Sequence, residues 1–264
     1  MTIYIGIAGI PISTKGGTIE GIKDIAKLGL DAMEVQFVRG VKMSDQLATK
    51  AKEVAEENNV LLSVHAPYFI NLASDKEDTR EKSKLRIIES SKKAKLLDAY
   101  IVTVHAGYYS KLGKEHTLKL MREAMEDILP KSPVKIGFET MGKQKSFGTL
   151  EEIIELGDLV VPVIDFSHIH ARCNGCLKTV EDIKKIISKV LNVWDLKLIH
   201  CHYTDIEYKN GNEKRHLIMG EGNFDFKIIA KAMLDFDVDF CVICESPVLE
   251  KDAIKMKEII NNLL

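Results

Sequence analysis

Eight short apolar segments rich in β-branched residues recur along the chain at a nearly constant spacing. Each ends in small or polar residues, and together they cover residues 2–9, 31–37, 61–67, 100–107, 135–140, 162–168, 196–205 and 239–246. Their starts lie about 34 residues apart on average, which is the length of one strand-helix unit. The pattern predicts an α/β protein, a (β/α)8 TIM barrel formed as a single domain over residues 1–264.

Amphipathic stretches between these segments predict helices over 44–58, 79–97, 114–129, 179–190 and 249–263. Polar residues suited to capping helix starts are Thr18, Ser44, Thr79, Thr149 and Thr179. The main alternative fold is an open doubly wound sheet, which is expected to carry a glycine-rich phosphate loop after its first strand. The glycines near the first predicted strand do not have the spacing of such a loop; they are Gly6, Gly9, Gly16 and Gly17.

The amino-acid composition limits which binding partners and which cellular compartment are expected for this protein. The formal charge of −2 argues against long-range attraction of a polyanion, although a local cleft can still be positive. Neither a membrane span nor a signal peptide is expected. Five cysteines are an odd number and do not resemble a disulfide scaffold, so the chain is expected to be cytoplasmic, with Cys173 and Cys176 as free thiols.

Potential metal ligands follow six consecutive predicted strands, at the ends where a barrel places its active site. They are His65, His105, Glu139, Asp165, His168, His202 and Glu245. Imidazole and carboxylate groups bind zinc or manganese, and three or four of them saturate one ion, so this set implies at least two ions. His200 is predicted to lie one layer deeper than His202, whereas His116 in a helix and His170 in a loop are expected to be structural or solvated.

The motifs at these positions form an ordered set from about residue 60 to residue 247 that resembles the endonuclease IV family, the type 2 apurinic/apyrimidinic endonucleases. It comprises His65-Ala66-Pro67-Tyr68, His105-Ala106-Gly107, Asp165-Phe166-Ser167-His168, His202-Tyr203-Thr204-Asp205, Arg215-His216, Gly220-Glu221-Gly222 and Glu245-Ser246-Pro247.

This resemblance implies a zinc-dependent endodeoxyribonuclease that cleaves the DNA backbone 5′ to abasic sites in base-excision repair. It implies that Glu139 and Glu245 are catalytic carboxylates. By position, one zinc is bound by His65, His105 and Glu139, and a second by Glu139, Asp165, His202 and Glu245. A third zinc in the family is bound by the counterparts of His168 and His216 and by an aspartate, which is replaced here by Lys214.

Lys214 leaves three interpretations open for the third site, because an ammonium group cannot ligate a metal without losing its proton. A shift of one residue would let Glu213 ligate. Asp205 or water could complete a weak site, or only two ions bind and Lys214 contacts a phosphate. The sequence favours a weak or absent third site, and hence two or three zinc ions, with manganese as an alternative metal.

The resemblance also implies DNA contacts, with duplex DNA carrying abasic sites as the partner of a monomeric protein. Tyr68 and Phe69 match residues that enter the duplex at the lesion, although they could instead pack against a neighbouring loop. Arg39 and Lys214 are further candidates for contacts with DNA, and Lys143 and Lys145 could reach a phosphate.

A sugar isomerase or epimerase on the same kind of barrel is the strongest rival. Such enzymes use one divalent ion, and their pattern is equally satisfied by Glu139, Asp165, His202 and Glu245. The additional histidines at 65, 105, 168 and 216 are not needed for proton transfer at one ion, and they favour the nuclease. A barrel that only binds ligands is a third, weaker interpretation, because so many charged groups are costly to bring together.

Overall fold

The computed structural model describes residues 1–264 and confirms the closed parallel barrel. Ten strands are present: β1 (Ile3–Ala8), β2 (Ala32–Gln36), β3 (Leu61–His65), β4 (Ile101–Val104), β5 (Lys135–Glu139), β6 (Val161–Asp165), β7 (Leu198–Tyr203), β8 (Asp205–Lys209), β9 (Asn212–Leu217) and β10 (Asp239–Cys244). The barrel consists of β1 to β7 in sequence order and closes through β10, which pairs with both β7 and β1. All eight predicted barrel strands therefore form.

Nine helices accompany the strands: α1 (Thr18–Lys27), α2 (Asp45–Glu57), α3 (Glu77–Leu97), α4 (Lys114–Ile128), α5 (Leu150–Leu156), α6 (Phe166–Arg172), α7 (Val180–Leu191), α8 (Phe226–Met233) and α9 (Glu250–Asn261). Ser44, Thr149 and Thr179 cap helices as predicted, each accepting a backbone N–H from the first turn. The other two expected caps are wrong, since Thr18 is already helical and α3 begins before Thr79.

Apolar side chains of the strands and surrounding helices form one large hydrophobic core. Phe138 on β5 and Phe240 on β10 are fully buried in it, which is the burial expected for strands covered by a helical layer. None of the helices is long and apolar enough to cross a membrane. The core leaves the carboxyl ends of the barrel strands as the place where polar side chains converge.

Helix α6 replaces the end of a predicted strand. The sequence predicted strand structure as far as His168, but β6 ends at Asp165 because the Asp165 carboxylate accepts the backbone N–H of His168 at 2.7 Å and caps α6. His168 therefore lies in the first turn of a helix. His170 also lies in α6 rather than in a loop, and it is buried against Phe224.

A hairpin formed by β8 and β9 follows β7 and is also absent from the prediction. Its turn contains Asn210 and Gly211, which both have positive φ values, as a two-residue hairpin turn of this kind requires. The Asn-Gly pair is thus the local signal for the hairpin. The element matters because β9 carries Glu213 and His216 towards the end of the barrel.

Cys173 and Cys176 are joined by a disulfide, so the prediction of free thiols is wrong. The residues between them, Asn174 and Gly175, both have positive φ values. This backbone conformation turns the chain sharply after α6 and brings the two cysteine Cα atoms to 5.5 Å, within the range that a disulfide spans. The other three cysteines are buried and unpaired.

Gly6 is expected to be required for packing between β1 and β2. A Cβ atom at this position would lie 2.4 Å from the carbonyl oxygen of Ala32, its partner in the neighbouring strand. We expect Gly6→Ala to lower the free energy of unfolding by about 1–3 kcal/mol, because the barrel must shift to relieve the overlap. Urea unfolding measures the change in stability. An unchanged urea midpoint in Gly6→Ala would contradict the prediction, because it would show that β1 and β2 move apart without loss of stability.

Candidate metal centre

Three groups of histidine and carboxylate side chains lie together at the carboxyl ends of the barrel strands. The ligand atoms of each group lie within 4.8 Å of one another. The first group contains His65, His105 and Glu139; the second contains Glu139, Asp165, His202 and Glu245; the third contains His168, Glu213 and His216. The structure therefore brings together every residue predicted as a metal ligand, and it also includes Glu213, which the sequence left as one alternative for the third site.

Glu139, at the end of β5, belongs to two of these groups. Its Oε2 atom lies 2.8 Å from His105 Nε2 and 3.3 Å from His65 Nε2. Its Oε1 atom faces the other way and lies 3.6 Å from Nδ1 of His202. Because the two oxygens of one carboxylate face different groups, Glu139 could contribute one ligand atom to each group.

Backbone carbonyl groups fix the orientation of three of the histidine rings. Nδ1 of His65, His168 and His216 lies 2.7, 2.9 and 3.0 Å from the carbonyl oxygens of Ala66, Thr140 and Glu245, respectively. Since a carbonyl oxygen only accepts, Nδ1 carries the proton in each ring. Nε2 then offers its lone pair to the donor group, as is usual for histidines that ligate metals.

Buried polar atoms without a hydrogen-bond partner test whether these residues fit a metal ion. Glu139 Oε1, Asp165 Oδ2 and His202 Nδ1 are three such atoms, and all belong to the second group. The two oxygens face His168 Nδ1 at 3.0 and 3.3 Å, but that N–H points at the carbonyl oxygen of Thr140 and satisfies neither of them. Buried polar atoms are normally paired, because leaving them unpaired costs free energy. A divalent cation accepts electron pairs from carboxylate oxygen and imidazole nitrogen alike, so the donor set fits zinc or manganese.

The electrostatics of the site also favour a cation. Burial raises the pKa of Asp165; the charge of His168 opposes this, while the Glu139 and Glu245 carboxylates raise it further. Burial alone would lower the pKa of His168, but Asp165, Glu139 and Glu213 raise it to about 10. The protein's own groups thus concentrate negative charge here, and a metal ion would have to displace the proton of His168.

Glu213 supplies the carboxylate of the third group. Its Oε2 lies 3.5 Å from His168 Nε2, and its Oε1 lies 3.8 Å from His216 Nε2. Residues three apart in a regular strand point to opposite faces, but the pairing of β8 with β9 skips Lys214, which forms a bulge. The bulge brings Glu213 and His216 to the same side and leaves Lys214 exposed. Of the three interpretations left open by Lys214, this arrangement supports the one in which Glu213 ligates. The strength of the third site and the number of bound ions stay predictions.

Asp205 does not join the third group. Its carboxylate accepts the backbone N–H groups of Ile206, Gly220, Gly222 and Phe224 at 2.7–3.3 Å. These bonds occupy both carboxylate oxygens and hold the loop after β9 in place. The interpretation in which Asp205 completes a metal site therefore has no support in the structure.

Glu34 on β2 is a buried acidic residue near the site that the sequence interpretation missed. Its Oε2 atom lies 3.3 Å from His202 Nε2 and 2.9 Å from His200 Nε2. His200 accordingly lies below the donor groups, as predicted. The available signal was an acidic residue between two apolar residues, Met33 and Val35, in the middle of a predicted strand.

None of the residues predicted to contact DNA belongs to a donor group. Tyr68 and Phe69 are 47% and 49% exposed, so neither side chain is buried against a neighbouring loop. The Tyr68 ring centroid lies 5.4 Å from that of His105. The Arg86 guanidinium lies over the ring of Phe69. Arg39 is exposed in the loop after β2.

Comparison with known proteins places this barrel in a family. Residues 22–262 match the sequence pattern described as the xylose isomerase-like TIM barrel. The chain belongs to the xylose isomerase-like TIM barrel family. It is 39% identical to an uncharacterized protein of Methanocaldococcus jannaschii, over 99% of this chain and 98% of that protein. It is also 28% identical to a protein named probable endonuclease 4 from Natranaerobius thermophilus, over 81% of this chain and 82% of that protein.

Solved structures that share this fold differ in their named activities. A D-tagatose 3-epimerase-like protein aligns with a TM-score of 0.73 at 22% identity, over 99% of this chain and 96% of that chain. Endonuclease IV from Thermus thermophilus aligns with a TM-score of 0.71 at 19% identity, over 97% and 98%. Because both scores are similar, the fold alone does not separate the two activities.

Metal removal is expected to destabilise this member of the family. Without a cation, the carboxylates of Glu139, Asp165 and Glu245 repel one another in a buried site. A ligand present at about 1,000 times its dissociation constant stabilises by about 4 kcal/mol, so we expect chelation to lower the thermal midpoint by on the order of 10 °C. Calorimetry before and after dialysis against a chelator measures the change. Restored zinc should reverse it, and identical midpoints would contradict a bound ion.

Proposed function

We propose that this chain is a zinc-dependent endonuclease that hydrolyses the DNA backbone on the 5′ side of abasic nucleotides. The observation that supports this most strongly is the set of three adjoining donor groups, two of which share Glu139. A single ion would be saturated by the second group alone. The first and third groups add four histidines and Glu213, which phosphodiester hydrolysis by several ions would use.

Each group of side chains has a role in such a reaction. Ions bound there would lower the pKa of a water molecule and offset negative charge on the phosphate and on the leaving oxygen. Glu139 is almost fully buried, and its two oxygens hold the first and second groups in a fixed relation. Glu245 is 11% exposed and lies between the second and third groups, where its carboxylate can accept a proton from the attacking water.

The surroundings of the donor groups suit a damaged duplex. Half-exposed Tyr68 and Phe69 can fill the space left by a missing base and hold the DNA kinked. Exposed Arg39 and Lys214 can contact phosphates. The similarity to a protein named probable endonuclease 4, over 81% of this chain, supports an endonuclease activity.

A sugar isomerase or epimerase is the second candidate. It is favoured by the second group, which forms a complete set of four ligands by itself and contains all three of the unpaired buried atoms at the site. In that reaction Glu139 and Glu245 would exchange protons with a substrate carbon. This candidate leaves the first and third groups without a role.

An incision assay distinguishes the two candidates. The zinc-loaded protein is incubated with a labelled duplex carrying one tetrahydrofuran abasic analogue, and the same duplex without the lesion is the control. We expect a single cut on the 5′ side of the analogue that leaves a 3′-hydroxyl end. Absence of incision together with epimerisation of a ketose by the same preparation would reject the endonuclease.

A further inference from the structure

Glu34 lies inside the barrel below the candidate metal centre, and its carboxylate collects several hydrogen bonds. The residue is completely buried. Oε2 accepts from Thr103 Oγ1 at 2.9 Å and lies 2.9 and 3.3 Å from Nε2 of His200 and His202. Oε1 accepts from Gln36 Nε2 at 2.9 Å. The carboxylate is therefore the common acceptor for donors from β2, β4 and β7.

These contacts determine where the proton of His202 is placed. A carboxylate oxygen can only accept, so His202 Nε2 must carry the hydrogen that it shares with Glu34. Nδ1 of the neutral ring is then a lone pair. That atom is one of the unpaired buried atoms of the site, and it lies 3.6 Å from both Glu139 Oε1 and Glu245 Oε1. The hydrogen bond to Glu34 thus aims the free nitrogen at the second group.

His200 shows the same arrangement one layer deeper. Its Nε2 faces Glu34, and its Nδ1 accepts from the Tyr100 hydroxyl. The alternative for this cluster is an ion bound directly by Glu34, His200 and His202. An ion would occupy the Nε2 atoms and Oε2 themselves, whereas Oε2 already accepts the hydrogen of the Thr103 hydroxyl. Hydrogen bonding accounts for all of these partners.

We propose that Glu34 is a positioning residue, which fixes His202 in the tautomer that presents Nδ1 to the metal ion of the second group. The inference rests on the proposed function only for the presence of that ion. A carboxylate behind a ligating histidine holds the ring in orientation and raises its basicity. Glu34 itself does not contact substrate or the reacting atoms.

The test combines a spectroscopic measurement with metal affinity. Long-range ¹H–¹⁵N spectra of zinc-loaded protein labelled with ¹⁵N-histidine show which ring nitrogen of His202 is protonated, with its signals assigned from His202→Gln. We expect the proton on Nε2. Competition with a chelator then compares wild type with Glu34→Gln, which keeps the size of the side chain and removes its charge. We expect one zinc ion to bind about 10–100-fold more weakly in this variant.

Ser63→Ala is the matched control, because Ser63 Oγ also donates to Glu34 Oε2, at 3.4 Å, and forms no hydrogen bond with His200 or His202. We expect its zinc affinity to match wild type. A proton on Nδ1 of His202, or wild-type zinc affinity in Glu34→Gln, would overturn the proposal. Complete loss of one ion from Glu34→Gln with an unchanged His202 tautomer would also overturn it, since Glu34 would then be a ligand.

Neither measurement depends on the endonuclease activity. If Glu34→Gln fails to fold, the tautomer in the wild-type protein still decides the proposal. If the wild-type protein binds zinc with the expected tautomer and does not incise DNA, the endonuclease is rejected and the role of Glu34 stands.

Discussion

Replacement of Glu245 by Gln should reduce incision at an abasic site by about 10²–10⁴-fold, the range expected when a general base is removed. The amide cannot take the proton of the attacking water, and it is a weaker ligand beside His202 and His216. Single-turnover rates with saturating protein isolate this effect from product release. The barrel should remain folded, because Glu245 lies after the end of β10 and not in the hydrophobic core.

Glu207→Gln is the matched control for this prediction. Glu207 lies on the exposed hairpin strand β8, pairs with Arg215 and belongs to none of the donor groups. An exposed ion pair contributes little to stability, so this variant should incise at close to the wild-type rate. A Glu245→Gln protein that kept wild-type activity would contradict the catalytic role of Glu245.

Replacement of Glu213 by Ala should remove about one zinc ion per chain, because two histidines alone make an incomplete site. His168 and His216 would remain in place, since their Nδ1 atoms are held by the carbonyl groups of Thr140 and Glu245. Metal analysis of protein purified without a chelator measures the loss. Incision should fall as well, because the third group would no longer offset charge on the phosphate.

Lys214→Ala separates this effect from a general disturbance of the hairpin. Lys214 is the neighbouring residue, forms the bulge and is exposed. We expect this variant to keep the full zinc content and to bind DNA less tightly, through loss of one positive charge. Equal zinc content in Glu213→Ala and Lys214→Ala would contradict the assignment of Glu213 as a ligand.

The barrel and most of the donor set could be predicted from the sequence for one physical reason. Parallel strands in a barrel all end at the same rim, so a ligand-type residue at each predicted strand end must lie close to the others. Predicting that His65, Glu139 and Glu245 lie at this rim required only that their strands be located correctly in the sequence. Errors of up to three residues at the strand ends did not alter which rim these side chains occupy.

The remaining features depend on contacts that strand periodicity does not contain. Glu213 becomes part of the third group because a bulge at Lys214 changes the side to which it points. Glu34 is distant in sequence from His202, and its burial depends on the closed barrel. The disulfide depends on positive φ values at Asn174 and Gly175, which fold four residues into a tight turn.

Anomalous diffraction at the zinc edge, from crystals of the zinc-loaded protein, tests the central claim most directly. The three donor groups predict separate peaks, with two of them on either side of Glu139 and one between His168, Glu213 and His216. A single peak within the group of Glu139, Asp165, His202 and Glu245 would contradict the claim, and it would favour a sugar isomerase or epimerase.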